Sequence, residues 1–213
     1  GISDADAEFL NNHSFDIPIV CVFRNEKKYH SVYVDDYDIG INVARLFAQR
    51  GHKSVGFIGS NQNGPNSGLR KSGFINKCRD LGLHMDKIWM REEADRDFSS
   101  GFHAMKEILS LKNRPTAVFI NVPEQAMGAV TACKSEQIIF QEEMELFSVG
   151  HSKSFEYFSP SISMVCTPVF EVAESALDLL MVVIRSEGNT PIARNLKAKY
   201  VFGDTCGDFN DRL

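Results

Sequence analysis

Short apolar runs alternate along the chain with longer segments in which apolar residues recur every three or four positions. The run Val55–Ile58 is typical of the first kind. The segment 37–49, with Ile39, Val43 and Leu46 on one face, is typical of the second. Short apolar runs indicate strands covered on both faces, and the longer spacing indicates amphipathic helices. Alternation of the two predicts parallel, doubly wound sheets, so the expected fold class is α/β.

The same patterns predict the remaining elements. Strands are expected at 17–23, 31–35, 54–59, 87–91, 117–121, 146–150 and 198–202. Helices are expected at 37–49, 69–81, 97–109, 124–135 and 168–186. Phe98 and Phe102 are expected in the core. The residues predicted to be buried in the last helix are Val169, Ala173, Ala176, Leu177, Leu180 and Ile184.

A polar loop follows the strand predicted at 54–59. Gly59–Gly64 contains glycine, serine and amide side chains. Gly51, before the strand, suits the left-handed position just past a helix end. Because open α/β sheets bind ligands at the carboxyl ends of their strands, we expect a binding site at this loop.

The composition is that of an ordinary globular protein, with 43% hydrophobic and 24% charged residues. No apolar run approaches the roughly 18 residues of a membrane span, and the acidic first residues lack a signal-peptide core. A net charge of −5 argues against direct contact with DNA, because phosphate binding requires a basic face. These features predict a cytoplasmic protein without a membrane partner.

Catalytic and metal-binding motifs are missing from the sequence. The five scattered cysteines form no C-x-x-C pair and are expected to be buried in a reducing compartment. No G-x-S-x-G, G-x-G-x-x-G or G-K-[ST] motif occurs. The acidic group Glu92, Glu93, Asp95 and Asp97 could bind a metal, but helix capping by Asp95 or Asp97 is the simpler interpretation. We therefore expect no enzyme activity, no cofactor, no metal and no catalytic residue.

Several segments carry a family resemblance in a fixed order. They are Val32–Asp36 (V-Y-V-D-D), Arg50–Gly59 (R-G-H-K-S-V-G-F-I-G), Arg70–Phe74 (R-K-S-G-F), Pro115–Asn121, Phe147–Gly150 and Tyr157–Pro160 with Ser163–Val165. They resemble V-x-V-D-N, GH-(R/K)-x-I-G-F-I-G, R-x-x-G-F/Y, P-T-A-I-F-A-x-N-D, I-S-V-V-G-F-D-D and Y-x-x-P-x-L-T-T-V. These motifs belong to the effector-binding domain of the LacI/GalR family of bacterial transcription regulators. The resemblance covers nearly the whole chain.

The resemblance implies a periplasmic-binding-protein-like fold with two doubly wound parallel-sheet lobes, joined by crossing strands, and a ligand cleft between them. An incomplete N-terminal lobe would comprise residues 1–34 and 166–201, and a C-terminal lobe residues 35–165 and 202–213. The implied partners are a small-molecule effector (a sugar, a phosphosugar or another small anion), a second copy in a homodimer, and operator DNA. DNA would be contacted only through a helix-turn-helix absent from this chain. The alternative is a periplasmic sugar-binding protein of an ABC transporter.

The resemblance also places candidate ligand contacts. Three positions that are acidic in the family are occupied here by Phe23, Val122 and Ser152. Two hypotheses follow: an anionic effector held by Arg70, or a cleft that has lost its ligand contacts, with Lys153 facing solvent. The full set of candidates is Arg70, Asn121, Ser152, His151, Lys153, Phe23 and Arg24.

Overall fold

The computed structural model of the protein describes residues 8–10, 12–13, 15, 17–61, 64–150, 155, 158–185 and 190–208. The chain divides into two compact units, each built on its own β-sheet. The smaller unit comprises Gly1–Asp35 and Thr167–Ala198, and the larger comprises Asp36–Cys166 and Lys199–Leu213.

Strands and helices alternate through most of the described chain. The strands are β1 (Val20–Val22), β2 (His30–Val34), β3 (Val55–Ser60), β4 (Met90–Glu93), β5 (Ala117–Ile120), β6 (Glu145–Gly150), β7 (Ser163–Cys166), β8 (Ala193–Leu196) and β9 (Lys199–Val201). The α-helices are α1 (Asp36–Gln49), α2 (Pro65–Asp80), α3 (Phe98–Leu109), α4 (Pro123–Ser135) and α5 (Val169–Arg185). A 3-10 turn, Lys87–Trp89, precedes β4.

The sheet of the larger unit has the strand order β4-β3-β5-β6-β7-β9. Neighbouring strands are parallel except β7 and β9, which are antiparallel. The α/β fold class predicted from the sequence is therefore confirmed. Because β3 has β4 on one side and β5 on the other, the strand order reverses there, and open sheets bind ligands at the carboxyl ends of such strands.

Helices cover both faces of this sheet. On one face, Phe74 of α2 contacts Phe47 of α1 and Phe119 of β5, with ring centroids 6.2 and 5.2 Å apart. Successive strand residues face opposite sides, so Ile58 of β3 belongs to the other face, where α3 and α4 pack. Buried residues of that second layer include Met105, Ile108, Val118, Ile120, Ala129 and Leu146.

Each pair of helices in the larger unit crosses at glycines. A Cβ atom added to Gly40 of α1 would lie 2.0 Å from the backbone oxygen of Arg70, and one added to Gly73 of α2 would meet the α1 backbone at 2.1 Å. Gly101 and Gly128 are placed in the same way where α3 crosses α4, with backbone oxygens at 2.1 and 2.0 Å. The close approach of both helix pairs therefore depends on residues without side chains.

The smaller unit has a three-stranded parallel sheet of order β1-β2-β8, against which α5 packs. The predicted buried face of α5 is mostly wrong: Ala176 packs against the sheet as predicted, but the buried residues are Val172 and Leu179. Leu177 and Ile184 are 64% and 58% exposed. This helix is apolar around most of its circumference, so spacing alone did not identify the buried face. Within the described residues, no helix combines the length and apolar character needed to cross a membrane.

Three strands also differ from the predictions made from the sequence. The single strand expected at 198–202 is β9, which pairs with β7, so residues 199–201 join the larger unit and not the smaller. The polar strand β8 was missed because it shows no apolar alternation. The strand expected at 87–91 begins at Met90, because the Asp86 carboxylate accepts a hydrogen bond from Ile88 N at 3.1 Å and starts a 3-10 turn.

Candidate functional site

Four polar side chains meet at the carboxyl edge of the larger sheet, beside the strand-order reversal. Asn121 directly follows β5, and Asp36 begins α1 after β2. Ser67 and Arg70 lie in the first two turns of α2, which follows β3. We call these four residues the Arg70 cluster.

The Arg70 cluster is connected by short hydrogen bonds. Arg70 Nε donates to Asn121 Oδ1 at 2.7 Å, and Arg70 Nη1 donates to Asp36 Oδ1 at 2.5 Å. Asn121 Nδ2 donates to the backbone oxygen of Ser67 at 3.0 Å and to its Oγ at 3.1 Å. The guanidinium is thus fixed by two side chains from separate segments of the chain, Asn121 and Asp36.

Burial differs among these residues. Asn121 is 1% exposed, while the side chains of Asp36 and Arg70 are 9% and 13% exposed. An arginine has five N–H donors, and the bonds to Asn121 and Asp36 use two of them. Arg70 can therefore donate further hydrogen bonds to a ligand, whereas Asn121 acts by holding Arg70 in place.

Buried Gln125, in α4, belongs to the same edge of the sheet. Its Nε2 lies 3.1 Å from the backbone oxygen of Gly59, at the end of β3, and 3.0 Å from that of Asp95. Ser100 Oγ at the start of α3 lies 3.2 Å away. Gln125 therefore ties the carboxyl end of β3 to the loop that precedes α3.

The sequence-predicted site residues fall into three groups. Arg70 and Asn121 are brought together in the cluster. His151, Ser152 and Lys153 lie outside the described residues. Phe23 and Arg24 belong to the smaller unit.

Phe23 and Arg24 directly follow β1. Phe23 has a φ of 61° and is 36% exposed, and its backbone N–H donates to Val32 O at 2.9 Å. Arg24 Nη2 forms an ion pair with Glu26 Oε1 at 2.8 Å. The positive charge of Arg24 is therefore at least partly compensated within its own loop.

Two members of the Arg70 cluster were missed from the sequence. Asp36 is a charged residue at the carboxyl end of a predicted strand, a position that could have drawn attention to it. Ser67 gave no such signal, because the helix predicted to begin at 69 begins at Pro65. The earlier start places Ser67 within the helix, beside Asn121.

The other candidates near this edge have structural explanations. The Asp97 carboxylate accepts a hydrogen bond from Ser100 N at 2.8 Å, which caps α3 as predicted and lowers the pKa of Asp97. Lys71 Nζ pairs with Glu92 Oε2 at 2.5 Å. Phe98, expected in the core, is 44% exposed. In the described part of the chain, no three His, Cys, Asp or Glu residues are grouped to hold a metal ion.

A second polar network lies at the opposite, amino edge of the same sheet, around Glu145. This carboxylate is 2% exposed; Arg50 Nε donates to its two oxygens at 2.6 and 2.7 Å, and His52 Nε2 lies 2.9 Å from Oε2. The thiol of Cys206 donates to Oε2 at 3.3 Å. Gly51, at a φ of 89°, makes the predicted left-handed turn between Arg50 and His52.

Electrostatics at Glu145 favour the charged form. Burial by itself raises the pKa of this carboxyl, but hydrogen bonds from His52, Arg50 and Cys206, with the charge of Arg50, outweigh burial and lower the pKa from 4.5 to about 2. Burial raises the pKa of Cys206, which therefore stays a thiol and a donor. A cavity of about 300 Å³ adjoins the network, but the Glu145 oxygens are already bonded to protein groups, so we interpret the network as structural.

Comparison with known proteins shows the same fold in transcription regulators. Residues 44–206 match the family model described as "Periplasmic binding protein-like domain". The HTH-type transcriptional repressor PurR of Erwinia tasmaniensis is 26% identical over 187 residues, covering 86% of this chain and 54% of the relative. The chain thus spans about half the length of that relative.

Solved structures agree with this result. A LacI family transcription regulator from Clostridium acetobutylicum superposes with a TM-score of 0.87 at 27% identity, covering 94% of this chain and 74% of that one. A LacI family regulator from Enterococcus faecalis V583, with bound ribose, gives 0.76 at 21% identity, covering 96% and 74%. A sugar-binding LacI family regulator from Escherichia coli, complexed with phosphate, gives 0.78 at 21%, covering 95% and 72%.

Proposed function

The chain belongs to the periplasmic binding protein-like domain family, and on that premise we propose that it is the effector-binding domain of a LacI-type transcription regulator. The observation that carries the proposal is the Arg70 cluster, a fixed guanidinium at the strand-order reversal of an open parallel sheet. Similarity to a repressor and to LacI family regulators supports the regulatory role.

A small-molecule effector is the proposed ligand. The structural relatives bind ribose in one case and phosphate in another, so both neutral sugars and small anions are candidates. In the proposed mechanism, the effector binds one conformation of the regulator more tightly than another and thereby changes the affinity of the DNA-binding part for its operator. A ligand with equal affinity for both conformations would have no effect.

Replacing Arg70 with glutamine should weaken effector binding at least about tenfold, because a charge-assisted hydrogen bond contributes on the order of 1.5–3 kcal/mol. A thermal-shift screen of sugars, phosphosugars and nucleobases would identify the ligand, and calorimetry would compare its affinity for the two chains. The matched control is Arg79→Gln, at an arginine of the same helix whose Nη1 lies 3.4 Å from Asn76 Oδ1. Equal affinities for Arg70→Gln and wild type would contradict the proposed site.

DNA binding is proposed to reside outside this chain. The chain carries 28 acidic and 23 basic residues, so its surface is not expected to attract a phosphate backbone. In an electrophoretic mobility shift assay, the chain alone should not shift operator-length duplex DNA. Sequence-specific binding at submicromolar concentration would show that the proposed division of roles is wrong.

A homodimer is the proposed assembly. The face of α5 that does not contact the sheet exposes Leu177, Met181 and Ile184, and apolar patches of this kind are usually covered by another surface. Sedimentation velocity over a range of concentrations should detect a dimer for a regulator that includes this chain. A strict monomer at every concentration would contradict this proposal.

The other assignments follow from the same relatives. We propose a cytoplasmic location, since transcription regulators act on DNA, and no enzymatic role. The alternative of a periplasmic sugar-binding protein is not favoured, because the relatives and the LacI family structures compared above are regulators.

A further inference from the structure

Asp36 places a negative charge beside the guanidinium at the centre of the proposed site. Arg70 Nη1 and Asp36 Oδ1 are 2.5 Å apart, and both side chains are mostly buried. Ser67 and Asn121 are uncharged, so the charges within the Arg70 cluster cancel. The hypothesis of an anionic effector was based on the three family acidic positions that are missing from this sequence. It did not take the Asp36 carboxylate into account.

We propose that Asp36 is a specificity-determining residue that makes the site prefer uncharged, hydrogen-bonding ligands over anions; the inference rests on the proposed function. An anion bound to Arg70 would lie close to the Asp36 carboxylate, where little water screens the repulsion. A hydroxyl group both donates and accepts hydrogen bonds, so it can approach a paired guanidinium and carboxylate without this repulsion.

Two charged residues close in sequence to Arg70 and Asp36 are bonded to other groups. Lys71, next to Arg70 in the sequence, is engaged by Glu92 at 2.5 Å. Asp38, two residues after Asp36, accepts a hydrogen bond from Asn42 Nδ2 at 2.8 Å. Residues 32–36 resemble the motif V-x-V-D-N, whose last residue is asparagine. Asp36 stands at that position and adds a negative charge there.

The test uses inorganic phosphate as a probe and does not require the natural effector. In a thermal-shift titration at constant ionic strength, Asp36→Asn should bind phosphate at least tenfold more tightly than wild type. Asp38→Asn removes the same charge from the same helix and should behave as wild type. Adding Arg70→Gln to Asp36→Asn should abolish the gain.

The inference is overturned if wild type binds phosphate as tightly as Asp36→Asn, if Asp38→Asn gains as much affinity, or if the gain persists without Arg70. If the Asp36 carboxylate only stabilises the fold, Asp36→Asn changes the melting temperature without changing phosphate affinity, which also overturns it. Asp36→Ser serves as a second uncharged variant should Asp36→Asn fail to fold.

A second comparison separates this inference from the proposed function. Calorimetry of the wild-type chain with ribose and with ribose 5-phosphate compares a neutral ligand with its anionic counterpart. Tighter binding of ribose 5-phosphate would overturn the charge preference and leave the proposed function standing. A phosphate gain in Asp36→Asn, together with no stabilising ligand in the screen, would support the role of Asp36 and contradict the proposed function.

Discussion

Replacing Glu145 with glutamine is expected to lower the free energy of unfolding by about 3 kcal/mol at neutral pH, because removing one partner of a buried ion pair leaves the other charge uncompensated. Arg50 is the charge left behind, with a side chain that is 12% exposed and two hydrogen bonds to the carboxylate. Urea denaturation followed by circular dichroism measures the change.

Glu142→Gln provides the control for this measurement. Glu142 is a nearby exposed carboxylate, and surface substitutions usually change stability by less than about 0.5 kcal/mol. If Glu145→Gln were as stable as Glu142→Gln, the network around Glu145 would not have the structural role assigned to it.

The same carboxylate predicts how stability depends on pH. Its pKa in the folded chain, about 2, is below the ordinary value of 4.5, so the stabilisation is fully present above pH 4.5 and is lost as the pH falls towards 2. At 1.36 kcal/mol per pKa unit, the stability lost is about 3 kcal/mol. The free energy of unfolding of Glu145→Gln should therefore fall less steeply than that of wild type as the pH is lowered from 4.5 towards 2. Urea denaturation repeated at each pH measures both curves.

Gly40→Ala should lower the free energy of unfolding by about 3 kcal/mol, the upper part of the usual range for overpacking. The added methyl group would lie 2.0 Å from the backbone oxygen of Arg70 and 2.6 Å from the backbone nitrogen of Phe74. Backbone atoms cannot rotate away as a side chain can, so α1 and α2 would have to separate. Because Arg70 moves with α2, effector binding should weaken too.

Gly68→Ala, in the same helix α2, is the matched control. A Cβ atom at Gly68 would meet nothing within 4 Å, so alanine should leave stability unchanged or raise it by up to about 1 kcal/mol through its better helix propensity. Equal stability of Gly40→Ala and Gly68→Ala would show that the crossing of α1 and α2 tolerates a wider separation.

The core strands were the most predictable part of this chain. The apolar run of β3 is buried along its whole length, and its local pattern is sufficient to identify it. The buried face of α5 was not predictable, because its apolar residues surround most of the helix and the sheet decides which of them are covered. Local patterns thus identified elements more reliably than the partners of those elements.

The candidate site was predicted in part. Arg70 and Asn121 were both named, but their hydrogen bond joins segments 51 residues apart, a pairing that no local pattern specifies. The role of Asp36 depends on the same long-range approach. The charge balance of a site is a property of the folded arrangement, so counting acidic positions along the sequence does not establish the charge of the ligand.

The two polar networks of the larger unit, around Arg70 and around Glu145, lie at opposite edges of one sheet. Ligand specificity and folding stability can therefore change independently during evolution or engineering. Substitutions at distant positions without shared partners combine additively. A library confined to positions 36, 67, 70 and 121 would therefore vary ligand recognition at the proposed site. Stabilising substitutions around positions 50, 52, 145 and 206 can be introduced first. The protein then tolerates the loss of stability that substitutions for a new ligand specificity often cause.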